Sequence, residues 1–167
     1  RVIDRPIRPL FPKDMRNDVS VVATVMSVDP DCSPEIAALW GVSTAIAISN
    51  IPWDGPVSSV SLGLVDGKYV INPTLEERAK TEMTVTVAST DSLVAMIEAG
   101  ANEISNEVMF DGIMFAHEEN KKVVEFIKGI AKEIGREKIA FESNDPSEEL
   151  YEAIKAFAID DVKVALD

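Results

Sequence analysis

The chain has 167 residues, 46% of them apolar, with 29 acidic against 16 basic side chains and a formal charge of −13. That length encloses one good core, or one domain plus part of another, and so acidic a balance excludes general nucleic-acid binding and leaves room only for local contact. No apolar run reaches a membrane span, no signal peptide is visible, and the single cysteine, Cys32, excludes an internal disulfide and favours a cytosolic origin.

The opening stretch, Arg1-Val-Ile-Asp-Arg-Pro-Ile-Arg-Pro-Leu-Phe-Pro12, departs from that balance. The first sixteen residues hold five basic and two acidic groups, a charge of +3, and the remainder holds eleven basic and twenty-seven acidic groups, a charge of −16. Pro6, Pro9 and Pro12 fix φ and remove three donors, which argues against a regular helix or a central strand. A stiff mount for guanidinium groups suits recognition of phosphate or carboxylate. The alternative is that Arg5 and Arg8 pair with near carboxylates such as Asp4 and Asp14.

Asp18 to Asp29 is rich in valine and threonine and reads as a buried strand. Ser33-Pro-Glu35 has helix-start chemistry, with Ser33 as N-cap and Pro34 first in the helix. Ile36, Leu39, Trp40, Ser43 and Ile46 recur at helical spacing, so residues 34–49 form a largely apolar helix. Ile51-Pro-Trp-Asp-Gly-Pro56 is a turn. Strands at 57–64 and 68–71 flank Asp66-Gly67, a strong hairpin signal. Residues 75–80 make a short polar turn or helix. Met83, Val85 and Val87 alternate with Thr84, Thr86 and Ala88 as in a half-buried strand, and 93–98 is a last strand before Gly100.

Residues 105–134 form one long helix whose apolar stripe runs through Met109, Ile113, Ala116, Val123 or Val124, Ile127, Ile130 and Ile134. Gly135 is its stop. Residues 136–144 are a linker, and Asp145-Pro-Ser-Glu148 is a capping-box start with Pro146 first in a new helix lined by Leu150, Ile154, Phe157 and Val162. That helix runs to Asp167, and with an Arg at position 1 both ends read as cut from a longer polypeptide. Strands and helices fall in blocks, which favours an α+β fold.

Searches for local site motifs return little: no CxxC, HExxH, Walker loop or GxSxG is present. His117 lies on the polar-to-intermediate face of the long helix, as a proton carrier or as an exposed or interhelical side chain. Cys32 is either a thiolate near a helix N-terminus or a small residue before a cap. Glu118-Glu119 and Glu148-Glu149 are solvated faces.

Six motifs in order carry a resemblance: Arg5-Pro-Ile-Arg-Pro-Leu-Phe-Pro12 with Val21-Val-Ala-Thr-Val-Met-Ser-Val-Asp-Pro30, Gly41-Val-Ser with Ile51-Pro-Trp-Asp-Gly-Pro56, Val65-Asp-Gly-Lys-Tyr-Val-Ile-Asn-Pro-Thr74, and Met96-Ile-Glu-Ala-Gly-Ala101. Together they resemble the first ribonuclease PH-like repeat of the bacterial polynucleotide phosphorylase family, strongly over about residues 1–135. The resemblance implies a ribonuclease PH-type fold with upstream strands missing over residues 1–138, and the start of an all-helical linker domain over 139–167. It implies a parent that degrades RNA from the 3′ end with inorganic phosphate, releases nucleoside diphosphates, and runs the reverse polymerisation. It further implies Mg²⁺ dependence, a cytoplasmic homotrimeric ring with RNA in its channel, and a second repeat in the same polypeptide.

In the phosphorolytic repeat of the family, three serines hold the attacking phosphate at a helix start. The matching positions here are Ser33, Pro34 and Glu35. Pro34 donates no N–H, and a carboxylate at Glu35 repels an anion by on the order of 4 kcal/mol per unit charge at ~4 Å in an effective dielectric of about 20. One hydroxyl returns roughly 1.5–3 kcal/mol, so Ser33 reads as a cap. The family's Asp-x-Lys and earlier Asp match Thr84, Thr86 and Arg78, which leaves no Mg²⁺ carboxylate at those positions. Glu76, Glu77 and Glu82 read as surface residues. No catalytic or metal-binding residue is therefore expected in this stretch, no cofactor is expected to bind it, and Arg5 and Arg8 are the candidates for contact with RNA. A stand-alone ribonuclease PH-like enzyme would require the serines and the Asp-x-Lys. A non-catalytic RNA-binding or ring-forming module would be encoded without a second repeat.

Overall fold

A computed structural model describes residues 1–143 and 145–166, leaving Asn144 in the expected linker and Asp167 at the expected helix end outside the described residues. Two compact units are present: residues 1–13 with 19–140, and residues 14–18 with 141–167.

The first unit is built on a four-stranded antiparallel sheet of β1 (Ser58–Val65), β2 (Lys68–Ile71), β3 (Met83–Ser89) and β4 (Val94–Ala101), in the order β2-β1-β3-β4. The Asp66-Gly67 turn closes β1 on β2 with φ of 49° and 71° at its two residues, the left-handed pair that a two-residue hairpin requires. The β4 strand starts one residue later than the sequence suggests and runs on to Ala101, because β3 offers partners as far as the Met83–Ala101 pair.

The helices of this unit are α1 (Asp4–Ile7), α2 (Pro34–Ile48), α3 (Leu75–Lys80) and α4 (Asn106–Ile134). The α4 helix lies against β1 and β3 over Val60, Leu62, Met83, Val85 and Val87, and α2 packs on both α4 and β1. A second cluster joins Leu39, Val42 and Ile46 of α2 to Ile7, Trp53, Val57, Ala88 and Met96. Thr74 caps α3 in a capping box: its hydroxyl accepts from Glu77 N–H while the Glu77 carboxylate accepts from Thr74 N–H at 2.8 Å.

Several sequence expectations are corrected. Residues 18–29 form no strand, and Val22 and Met26 are 84% and 89% exposed. Valine-rich composition favours a pleated surface, yet a strand needs a ladder partner, and the described residues offer none. The proline-rich start does form one short helix, α1, followed by a 3₁₀ turn over Arg8–Leu10; a single turn loses few hydrogen bonds to Pro6 and Pro9.

His117 is buried rather than exposed, because the inward face of α4 runs through Gly112, Ala116, His117, Asn120, Val124 and Ile127. Asn120 on that face donates to the Val87 carbonyl at 2.9 Å. Ile134 is exposed at the helix end. Gly135 does stop α4, but with φ −66° and not in a left-handed cap. A Cβ there would collide with the Ala131 carbonyl oxygen.

The second unit holds α5 (Glu148–Leu166), none of whose described residues is buried. Its start falls later than the expected capping box: Ser147 precedes the first helical residue, and its hydroxyl accepts from Leu150 N–H at 3.3 Å. Pro146 therefore lies outside the helix.

Candidate functional site

The arginine mount is anchored from below. Pro6 and Ile7 are buried, Trp53 Nε1 donates to the Ile7 carbonyl at 3.1 Å, and Asp54 N–H donates to the Leu10 carbonyl at 2.8 Å. The Ile51–Pro56 turn thus clamps the 3₁₀ turn, with the Phe11 and Trp53 rings 6.2 Å apart. The two candidate arginines differ. Arg8 is exposed and grips Asp4 with both ends of its fork, Nη2 to Oδ1 at 2.7 Å and Nε to Oδ2 at 3.2 Å. Arg5 is exposed and makes no ion pair among the described residues.

The second candidate region is a cleft of about 510 Å³ on the sheet. Strand register builds its floor: Ser61, Thr86 and Glu98 form one cross-strand row, and Gly63, Thr84 and Gly100 the next. The start of α2 brings Ser33 and Glu35 to the rim, and α3 brings Arg78. The α3 helix is held there because Asp31 Oδ1 accepts from Leu75 N–H at 2.8 Å and Arg78 Nη2 donates to the Pro30 carbonyl. Five of the six positions singled out by sequence therefore meet in one place: Ser33, Glu35, Arg78, Thr84 and Thr86. Pro34 does not; it faces a separate apolar groove between α2 and residues 21–27.

Within the cleft, the Ser33 hydroxyl donates to Glu35 Oε2 at 2.6 Å. This corrects the expected role of Ser33: it occupies the N-cap position of α2 but makes no side-chain cap bond. The Ser33 hydroxyl, with the Glu35 backbone N–H and the Arg78 charge, holds the Glu35 carboxyl below the usual glutamate range, so Glu35 is ionised at neutral pH. Its exposure screens the repulsion of a bound anion below the value argued from spacing alone. The α2 start is thus short of free donors: the Ser33 hydroxyl is taken by Glu35, and Pro34 has no N–H.

Glu98 was not visible as a cleft residue in the sequence; the β3–β4 register puts it there, 3.8 Å from the Arg1 guanidinium. The Mg²⁺ of the resembled family does not fit this cleft. Mg²⁺ demands near-octahedral oxygen ligands, usually including carboxylates. The cleft's two carboxylates are engaged by Ser33 and Arg1, and the matching positions hold Arg78 and two threonines. Among the described residues no group of three or more His, Cys, Asp or Glu could hold a metal ion. Glu77 caps α3, and Glu76 and Glu82 are exposed.

The fold and cleft define a class. A family model described as "3′ exoribonuclease family, domain 2" matches residues 55–119, from the turn before β1 into α4. The crystal structure of rice (Oryza sativa) Rrp46 superposes with a TM-score of 0.55 at 15% identity, covering 63% of this chain and 51% of that one. The first unit therefore has a ribonuclease PH-type α+β fold. The polyribonucleotide nucleotidyltransferase of Ruminiclostridium cellulolyticum is 57% identical over 166 residues, covering 99% of this chain and 24% of that protein. The enzymes of the same name from Clostridioides difficile and Caldicellulosiruptor saccharolyticus are 54% and 52% identical, over 99% and 95% of this chain and 24% and 22% of theirs. This chain belongs to the polyribonucleotide nucleotidyltransferase family and spans about a quarter of the length of these relatives.

Proposed function

We propose that this chain is a stretch of a 3′-to-5′ phosphorolytic exoribonuclease that also polymerises nucleoside diphosphates, and that its repeat shapes the path of RNA without holding the attacking phosphate. The observation that carries the second half is the closure of the α2 start by the Ser33–Glu35 hydrogen bond at 2.6 Å. The family relationship supports the first half. In this reading residues 1–138 belong to the first ribonuclease PH-like domain and 139–167 begin the helical linker. The whole protein is a cytoplasmic homotrimer that takes RNA and inorganic phosphate. Its second repeat holds the phosphate and Mg²⁺, and Arg5, with Arg8 beside it, contributes charge to the RNA path. Among the described residues no helix is long and apolar enough to cross a membrane.

The test is direct. The 167-residue chain incubated with oligo(A), phosphate and Mg²⁺ should release no ADP above the blank. ADP release that follows this chain through successive purification steps would overturn the assignment of a non-phosphorolytic repeat.

A further inference from the structure

Beyond the end of α4, the chain does not simply leave the first unit. Arg136 N–H donates to the Ile48 carbonyl at 3.0 Å, and Ile139 N–H donates to the Asn50 carbonyl at 2.9 Å. Between them the Lys138 ammonium donates to three carbonyls at the C-terminal end of α2: Ile46 at 3.0 Å, Ala47 at 3.0 Å and Ser49 at 2.7 Å. The last carbonyls of a helix lack intrahelical partners and carry its negative pole. An ammonium has three N–H donors and no acceptor, so it reaches all three carbonyls at once, including that of Ile46, which also accepts from Ser49 N–H and Oγ. Neither a neutral side chain nor a planar guanidinium repeats that arrangement.

We propose that Lys138 is the latch of a strap, residues 136–139, which fastens the chain leaving α4 to the end of α2, and that loss of its charge frees the strap. With the latch closed, these contacts hold the chain of the first unit as far as Ile139; with the latch open, they hold it only to Gly135, where α4 stops. The strap is a conformational device of the first unit and does not depend on the proposed function. Lys138 as a whole is exposed, but partial desolvation of its ammonium at the helix end pulls its pKa below the ordinary lysine value, a cost the three carbonyls offset.

The experiment is amide hydrogen exchange on the full chain. In Lys138→Met, the amides of Arg136 and Ile139 should exchange roughly tenfold or more faster, with Val85 and Val87 in the core unchanged. Unchanged rates at Arg136 and Ile139 would overturn the proposal. Should Lys138→Met fail to fold, Lys138→Gln, which keeps a chain of similar length and drops the charge, decides by the same two amides: faster exchange at Arg136 and Ile139 is expected, and unchanged rates would equally overturn the latch.

Discussion

At the scale of single residues, the chemistry of the cleft turns on one short contact. The Ser33 hydroxyl is the leading cause of the lowered Glu35 pKa. Ser33→Ala should therefore move the Glu35 titration up toward the ordinary glutamate range, as read from its carboxyl carbon resonance against pH. Because the folded value is depressed, Glu35 adds stability above the unfolded glutamate range, and this is lost as pH falls through the folded value. The variant should accordingly show a shallower loss of stability on the acid side of that range in denaturant titrations across pH. The two arginines separate in the same way. Arg8 is already paired with Asp4 on the surface, a contact worth about 0–1 kcal/mol, whereas Arg5 has no such partner among the described residues. In the complete enzyme, Arg5→Ala should weaken binding of poly(A) and poly(U) about equally and reduce the salt slope by up to ~0.7, with little effect on melting. A salt slope that stays put in Arg5→Ala would remove Arg5 from the RNA path.

At the scale of elements, α4 shows how closely a helix can be fitted to its sheet. Gly112 faces the sheet, and a Cβ added there would meet Leu62 Cδ2 and Met83 Cε at 2.9 Å and Tyr69 Cε1 at 3.1 Å. Leu62 and Met83 are fully buried and have little room to yield. Alanine gains about 1 kcal/mol of helix propensity over glycine, but overpacking a filled core costs roughly 1–3 kcal/mol. Gly112→Ala should be destabilising, by up to about 2 kcal/mol, as a lowered urea midpoint with an unchanged slope. A higher midpoint would show that the sheet side chains repack freely. The 18–29 segment makes the opposite point: a strand-like composition stays unpaired where no neighbouring strand supplies donors and acceptors.

At the scale of the whole molecule, exposed apolar surface is the dominant feature. Val22, Val25, Met26 and Val28 stand in solvent along one segment that forms no strand, and exposed apolar stretches of this kind promote association. The chain should self-associate with rising concentration in sedimentation velocity, and Val22→Lys with Met26→Lys should shift it toward the 18.2 kDa species. A single 18.2 kDa species at every concentration would count against this.

What could be read without a structure was what neighbouring residues encode. The Asp66-Gly67 hairpin, the alternation of β3 and both ends of α4 are properties of short stretches, where dihedral preference and periodicity act locally. Tertiary structure alone decided that residues 18–29 stay unpaired, that His117 turns inward and that Glu98 joins the cleft. It also decided that Arg8 closes on Asp4 while Arg5 stays open, and that Ser33 binds Glu35 rather than capping its helix. Each of these depends on which groups the fold places opposite one another, and on how much water it leaves between them. Hydrogen bonding and burial are settled by such through-space neighbours, and residue spacing along the chain does not carry that information.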